Sequence, residues 1–597
     1  MTKLSLRRSQ LIVPFGVGSI INMPDQSLMA CGIDKWPPKA GERIYDERLQ
    51  KRLNVKYFKM PASSEECDRG LPFVYFPKWL FCPRCRAFKS YEKWNRLWLG
   101  VNRERFDVPR CNSDKTKLVP ARFIIACAKG HIDDFPWEMW THKKGICSSP
   151  NLFFSTKGSA AGLEGIRVKC ESCGQSATMS GAFDKEIFEK KEFKCTGHKP
   201  WQKVKEQCEE YPRTLQRGAS NVYFPKLVTS INIPPFSDDI CKVIHDRPEW
   251  EVLATQQGAI DEDMKTKLIE FIAKGINQPK ELIVSIVKRM LMSSSGDITA
   301  QSENEYRYDE YRAFHGNIKL GKLDSREFSI DIKKGDDYKI KGIEKVVLVH
   351  RLRELRALVA FSRIVPLDRD ELGMVDDEGN KVNACAVSIR ESSNIEWFPA
   401  FEVRGEGIFL SFNHDILKKW ASNKEIMMRA KKINDKYSKF YSKKNQTPRQ
   451  IGPIYLMVHT FSHLLIRQLS FDCGYSSASL RERIYCNESG DNFMAGVLIY
   501  TASGDSEGTL GGLVRQGEAD RLPAIIEKAV KTASWCSSDP VCINSSGQGL
   551  GSLNLAACHS CTLLPETCCE ENNRLLDRGM VIGTMEKPDL GFFSFLL

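Results

Sequence analysis

The first thing this 597-residue sequence lacks is a long apolar run. A membrane-spanning helix needs about 18–20 consecutive apolar residues, and no stretch reaches that length. Internal repeats of fixed period and long low-complexity segments are missing too, which excludes repeat arrays. The formal net charge of +12 is modest for this length, so it permits a polyanionic partner without requiring one. With 42% hydrophobic and 27% charged residues, the composition is typical of a multidomain globular protein.

The N-terminus imitates a secretion signal only in part. Arg7 and Arg8 precede the apolar stretch 11–21, but Pro14 and Gly16 interrupt it. Export would also carry the many thiols of the chain into an oxidising space. We therefore expect a cytoplasmic protein.

Composition divides the chain into three predicted regions. Residues 1–230 form a cysteine-rich, zinc-binding region, residues 231–450 a helical or mixed region with a basic segment, and residues 451–597 a zinc-binding C-terminal region. Together they predict a mixed α/β (α+β) multidomain fold.

Three segments carry the clearest secondary-structure patterns. Apolar residues recur at helical spacing in 279–292 and 346–363, so both are predicted helices. The unbroken apolar run in 494–501 predicts a buried strand.

Cysteine is the informative residue type. Of 21 cysteines, ten lie between Cys67 and Cys208 and six between Cys536 and Cys569. A chain of this length needs no disulfides to hold its core, and clustered CxxC pairs favour metal in a reducing compartment. We expect two or three structural zinc ions, because four protein ligands close a tetrahedral site and leave no open position for catalysis.

The predicted ligands fall into three sets. The first set has His131 as a substitute ligand and consists of Cys82, Cys85, Cys111 and Cys127. In the second set the fourth ligand is open, with His198 and Cys208 as alternatives to Cys147, and the set is Cys147, Cys170, Cys173 and Cys195. The third set has Cys536 as its main rival ligand and consists of Cys542, Cys558, Cys561 and Cys569.

An incomplete phosphate-binding motif bears on ATP hydrolysis. The segment 316–323 nearly matches a P-loop, but Leu323 stands where Ser or Thr would hold Mg²⁺, and the preceding residues are polar rather than strand-like. No DExH or DExD sequence accompanies it, so the chain is not expected to be an ATPase of that kind.

A histidine pair gives an alternative function. His459 and His463 share one helix face, but Thr460 replaces the glutamate that a zinc protease of the HExxH type requires. Together with Asp505 and Glu507 they define the alternative hypothesis, a metal-dependent nuclease or other hydrolase.

A basic segment, 424–449, contains nine basic and two acidic residues with interleaved aromatic residues. Basic side chains neutralise phosphates and aromatic rings stack on bases, so this segment is a candidate nucleic-acid contact; an ordinary solvated helix face is the alternative. The candidate lysines are Lys431, Lys432, Lys436, Lys439, Lys443 and Lys444.

Several motifs together resemble a known family. They are Arg7-Arg8-Ser9-Gln10 with the Gly16–Gly18 turn, residues 130–137, 221–225 and 500–513, and the C-terminal stretch 554–578 with Ala557-Cys558-His559-Ser560-Cys561. These resemble DrmB proteins of the bacterial DISARM anti-phage system. The C-terminal stretch looks like the zinc-binding domain of MrfA-type superfamily 2 helicases. The resemblance is thin between about 235 and 390.

The resemblance implies a non-ATPase accessory subunit that partners the helicase-like DrmA and helps it bind or gate phage DNA. It also implies a DNA methyltransferase in the same system and, in some versions, a phospholipase D-like protein. It supplies no catalytic residue.

Overall fold

The computed structural model describes most of the chain. The described residues are 6–38, 40–63, 65–66, 70–102, 108–143, 145–156, 162–234, 243–244, 247–255, 260–276, 280–294, 302–318, 323–367, 385–391, 394–442, 448–488, 490, 492–501 and 512–597.

A large, almost wholly antiparallel sheet, the central sheet, organises the molecule. Among the described residues it contains nine strands, and one of them, Tyr57–Lys59, runs parallel to its long neighbour Trp397–Phe412. Its strands are Arg43–Ile44, Tyr57–Lys59, Phe224–Ile231, Phe328–Lys334, Ile343–Ser362, Val387–Ser388, Trp397–Phe412, Leu480–Asn487 and Met494–Thr501. The central sheet therefore draws strands from all three regions defined by composition.

The strand Ile343–Ser362 replaces the helix predicted at 346–363, and that prediction is wrong. Val346 and Leu348 face one core, whereas Val347 and Val349 face the core on the opposite side of the sheet. Successive side chains of a strand point to opposite faces, so a strand buried on both faces shows no polar alternation. Its apolar run consequently imitates a buried helix.

Helices cover both faces of the central sheet. One face packs against the helix Pro453–Cys473, called here the buried helix, and the other against the helix Glu303–Phe314. Pro453 stands at the first helical position, and Gly474, in left-handed conformation with φ +69°, ends the buried helix. The predicted strand Met494–Thr501 is confirmed between these layers.

The remaining helices lie in the N-terminal region, the middle region and the C-terminal region. Their bounds are Glu47–Leu53, Tyr91–Val101, Trp137–Thr141, Ile187–Lys190, Pro248–Thr255, Glu262–Gly275, Lys280–Ser294, His414–Ala421, Lys424–Ser442, Gly512–Gln516, Leu522–Ala533 and Gly579–Ile582. Lys280–Ser294 confirms the helix predicted there from residue 280 onward. No helix in the described part of the chain is long and apolar enough to cross a membrane.

Small sheets build the N-terminal region. Their described strands are Ile20–Asn22, Ser27–Ala30 and Phe73–Tyr75; Trp79–Phe81, Ala87–Ser90, Val119–Pro120, Leu152–Thr156, Ile166–Cys170 and Ser176–Thr178; Phe123–Ala126, Ile132–Asp134 and Arg213–Gln216; and His198–Lys199 with Val204–Lys205. Strands of two to five residues bury little surface, so the N-terminal region needs stabilising interactions beyond those within its small sheets.

Candidate metal centres

The C-terminal cysteines form one closed cluster. It joins the turn after the helix Leu522–Ala533 to the Cys558–Cys561 turn, and we call it the C-terminal cluster: Cys536, Cys542, Cys558 and Cys561. The sulfur atoms of Cys536 and Cys558 lie 3.5 Å apart, and those of Cys542 and Cys561 lie 3.8 Å apart. A disulfide needs about 2.05 Å, whereas tetrahedral zinc with bonds of about 2.3 Å separates its sulfurs by about 3.8 Å. The geometry fits zinc.

Backbone amides donate hydrogen bonds to two sulfurs of this cluster. The amide of Cys558 donates to the Cys561 sulfur over 3.3 Å, and that of Ser538 donates to the Cys536 sulfur over 3.4 Å. A hydrogen bond from the Cys542 thiol lowers the pKa of Cys561 to about 4, although burial opposes this. The cluster thus presents an anionic ligand, the form that binds metal.

The cluster is fixed to the rest of the C-terminal region by two arginines. Arg467 on the buried helix donates to the carbonyl oxygen of Ser560 over 2.8 Å. Arg578, which is fully buried, donates to the carbonyl oxygen of Ala533 over 2.7 Å and also to the carboxylate of Asp539. These contacts fix the Cys558–Cys561 turn and the segment after Ala533, which together carry the four thiols.

The second cluster lies on two hairpins of the N-terminal region. This hairpin cluster is Cys127, His131, Cys195 and Cys208. Cys127 directly follows the strand Phe123–Ala126 and His131 directly precedes the strand Ile132–Asp134, with Gly130 at φ +85° in the turn between them. His131 turns Nδ1 toward the Cys127 sulfur at 3.3 Å, and its Nε2 lies 2.6 Å from a carboxylate oxygen of Glu206. A carboxylate behind a ligating imidazole fixes the ring and raises its basicity.

The third cluster lies at the end of the strand Ile166–Cys170 in the N-terminal region. This knuckle cluster is His142, Cys147, Cys170 and Cys173. The Cys147 sulfur is 3.4 Å from His142 Nε2 and 3.7 Å from the Cys170 sulfur. His142 Nδ1 lies 2.7 Å from the carbonyl oxygen of Glu138, which leaves Nε2 for the cluster. Burial raises the pKa of Cys170, but hydrogen bonds from backbone groups, first that of Asn151, outweigh it and lower the pKa to about 6.

A further set, the three-cysteine cluster, contains Cys82, Cys85 and Cys111. The sulfurs of Cys85 and Cys111 are 3.8 Å apart, the separation that tetrahedral zinc imposes. The Asp114 carboxylate lies 3.7 Å from the Cys82 sulfur.

All twelve predicted cysteine ligands lie in such clusters, but the structure groups some of them differently. Cys127 does not join the three-cysteine cluster, because its hairpin turns it toward Cys195 and Cys208. Cys195 accordingly leaves the knuckle cluster, where His142 takes its place. In the C-terminal cluster Cys536 stands where Cys569 was expected.

The sequence pattern did not indicate His142 and gave His131 only as a substitute ligand, whereas the structure places both imidazoles in clusters. A Cys-x₃-His pattern containing Gly130 was the available signal for His131. Spacing along the chain could not show which hairpins lie side by side, and that decides the grouping.

Cys569 lies in a fifth cluster, the mixed cluster, which also contains His459, His463 and Glu482. Both histidines are fully buried. Asp505 and Glu507, the acidic partners of the hydrolase hypothesis, lie outside the described residues.

The helix Lys424–Ser442, called here the basic helix, carries the described candidate lysines. Lys431, Lys432 and Lys439 are exposed, whereas Lys436 is half-buried and donates to the carbonyl oxygen of Ser546. Lys443 and Lys444 lie outside the described residues.

Two of the three aromatic residues of the basic helix do not face solvent as a stacking surface would require. Tyr437 and Tyr441 are fully buried in the core, and Phe440 is half-buried. The exposed lysines are therefore the main candidates for a nucleic-acid contact on this face.

Comparison with known proteins identifies the family. The DISARM protein DrmB of Bacillus paralicheniformis is 34% identical over 588 residues, covering 96% of this chain and 99% of that protein. The chain belongs to the DrmB family. A family model described as the MrfA Zn-binding domain matches residues 461–562, a span that contains the C-terminal cluster. A domain of unknown function, DUF8724, matches residues 7–224.

The comparisons confirm the DrmB resemblance and the zinc-binding domain expected at the C-terminus. Among solved structures, the DUF1998 helicase MrfA bound to DNA gives a TM-score of 0.19 at 9% identity, covering 40% of this chain and 24% of MrfA. Our chain thus spans about a quarter of MrfA, and a TM-score this low carries no argument about the fold.

The new grouping of ligands can be tested by counting zinc. Replacing Cys127 and Cys195 together with serine is expected to remove one zinc ion per chain, because both belong to the hairpin cluster. Replacing Cys170 and Cys195 together is expected to remove two. Elemental analysis of the full-length variants counts the zinc ions. The ligand sets predicted from spacing require the reverse result, a loss of two ions in the first variant and of one ion in the second.

Proposed function

We propose that this DrmB-family chain is a non-ATPase accessory subunit of an anti-phage complex. It docks on a helicase-like partner of the DrmA type and helps that partner bind or gate DNA. The observation that carries the proposal is the match to a DISARM DrmB protein over nearly the whole chain, with a MrfA Zn-binding domain at residues 461–562.

The near-P-loop segment supports assigning ATP hydrolysis to the partner. Gly316 follows the helix Glu303–Phe314, whereas a P-loop follows a buried strand and opens a helix. Leu323 also lacks the hydroxyl that holds Mg²⁺ in nucleotide-binding loops.

The position of the basic helix supports a DNA contact next to the zinc-binding domain. Arg429 forms an ion pair with Asp577, which is fully buried, with 2.8 Å between Nη2 and Oδ1. On the same helix Asn434 accepts the amide hydrogen of Ile451 over 2.9 Å. These contacts, with the hydrogen bond from Lys436 to the carbonyl oxygen of Ser546, hold the helix in place, so its exposed lysines keep a defined position near the segment that follows Cys542. A fixed row of lysines suits a phosphate backbone.

Charge reversal tests this contact. The variant Lys431→Glu, Lys432→Glu and Lys439→Glu is expected to weaken duplex binding by the complex on the order of 10-fold or more. The slope of log K against log salt should become shallower by roughly one for each phosphate that the variant no longer neutralises. Fluorescence anisotropy of a labelled duplex across a salt series measures both quantities.

A matched control reverses three exposed lysines elsewhere, Lys267, Lys274 and Lys341. The control changes the net charge by the same amount. If it loses as much affinity as the test variant, the loss is due to overall charge and not to the basic helix. Unchanged affinity and slope in the test variant would exclude the basic helix as a DNA contact.

A further inference from the structure

The mixed cluster gathers four metal-binding side chains from three distant parts of the sequence. His459 and His463 come from successive turns of the buried helix, Glu482 from the strand Leu480–Asn487, and Cys569 from the C-terminal segment. The first three are 0% exposed and Cys569 is 5% exposed. A group of ionisable side chains in such surroundings requires its charges to be compensated.

Hydrogen bonds behind the two imidazoles fix which nitrogen faces the cluster. His459 Nδ1 lies 3.2 Å from the carbonyl oxygen of Leu575, and His463 Nδ1 lies 3.0 Å from that of Thr562. A carbonyl oxygen only accepts, so each Nδ1 carries a proton, and in the neutral tautomer the lone pair of each Nε2 points inward. His463 Nε2 has no hydrogen-bond partner although it is buried.

Two backbone amides point at the Cys569 sulfur. Its sulfur accepts the backbone amide hydrogens of Glu571 and Asn573, each over 3.3 Å. The sulfurs of Cys536 and Cys561 in the C-terminal cluster likewise accept backbone amide hydrogens. Burial, and next the Glu482 carboxylate, raise the pKa of Cys569 well above its usual value, and the two N–H groups oppose this rise. A metal ion binds the thiolate form of the sulfur.

The acceptor atoms converge on one point. His459 Nε2 is 3.1 Å from Glu482 Oε1 and 3.3 Å from the Cys569 sulfur, and His463 Nε2 is 3.5 Å from the same carboxylate oxygen. Tetrahedral zinc with bonds of about 2.0–2.3 Å separates its ligand atoms by about 3.3–3.8 Å. With neutral rings, the Nε2 lone pairs face the carboxylate and the sulfur, and a cation between these atoms removes the repulsion.

We propose that the mixed cluster binds one zinc ion as a structural site distinct from the C-terminal cluster. Two neutral imidazoles, one carboxylate and one thiolate with Zn²⁺ give a net charge of zero, which suits full burial better than the net charge of −2 of a four-thiolate site. Nitrogen and sulfur ligands also favour zinc over magnesium or calcium.

The zinc ion connects three elements of the C-terminal half. It ties the buried helix to the central sheet and to the segment that follows the zinc-binding domain match. With four protein ligands and no exposed histidine, the site is closed, which distinguishes it from the hydrolytic centre that the histidine pair first suggested.

Metal counting with a matched control tests the proposal. Cys569→Ala and His463→Gln are each expected to lower the zinc content of the full-length chain by one ion, and the two together also by one. Cys568→Ala is the control, because Cys568 is the adjacent buried cysteine and its sulfur donates to the carbonyl oxygen of Ser477 instead. It should keep the full count.

A measurement on the unmodified chain avoids variants that fail to fold. Anomalous scattering above the zinc edge from crystals is expected to give a peak between His459, His463, Glu482 and Cys569. A peak at the C-terminal cluster with none at the mixed cluster would overturn the proposal, as would unchanged zinc in a folded Cys569→Ala variant.

Discussion

Replacing Cys558 and Cys561 together with serine is expected to remove one zinc ion and to abolish assembly with the helicase-like partner. Both residues stand on the turn that supplies half of the C-terminal cluster. Binding of structural zinc contributes roughly 10–16 kcal/mol, about as much as the whole stability of a typical domain. The turns around the cluster therefore lose their fold. Zinc analysis, limited proteolysis and copurification of the partner measure the three consequences.

The matched control replaces two buried cysteines outside the C-terminal cluster, Cys486→Ala and Cys568→Ala. It keeps the number of substitutions while leaving the ligands of the C-terminal cluster intact, so zinc and partner should be retained. A Cys558→Ser, Cys561→Ser chain that still binds the partner in full would show that the C-terminal cluster is dispensable for assembly.

Removing zinc from the whole chain is expected to unfold the N-terminal region around the hairpin and knuckle clusters and to leave the two longest strands of the central sheet in place. The hairpin and knuckle clusters connect strands of only two to five residues, such as His198–Lys199 and Ile166–Cys170. The central strands Ile343–Ser362 and Trp397–Phe412 are 20 and 16 residues long and pack on both faces. Their stability comes from apolar burial, which does not depend on metal.

Hydrogen exchange followed by mass spectrometry measures this difference along the chain. After chelation, amides around the two N-terminal clusters should exchange on the order of 100-fold faster or more, which corresponds to roughly 3 kcal/mol less protection. Amides of the two long strands should change little. A uniform decrease in protection along the chain, or none around the clusters, would contradict the expected division between metal-held and apolar-held regions.

Much of the metal chemistry was readable from the sequence because it depends on residue type and local spacing. The pairs Cys170–Cys173 and Cys558–Cys561 are knuckles whose geometry is set within four residues. The partners of Cys127 and Cys569 depend on which hairpin or strand lies alongside, and that information is distributed over the fold. No sequence pattern indicated Glu482 as a metal ligand, because a single glutamate within a strand has no ligand spacing that would single it out.

The helix predicted at 346–363 failed for a related reason. A strand covered on both faces by helices has apolar residues on consecutive positions, and local periodicity cannot separate it from a buried helix. Its covering layers come from the buried helix and from Glu303–Phe314, both far away in sequence. The strand Met494–Thr501 was predicted correctly because it is short, apolar and followed by a glycine-rich segment.

Affinity purification from the native host tests most directly whether this chain works as a zinc-bound subunit of a larger complex. Quantitative mass spectrometry of the eluted proteins is expected to find a helicase-like protein in roughly equal amount. The chain purified alone, with its zinc intact, would contradict that role.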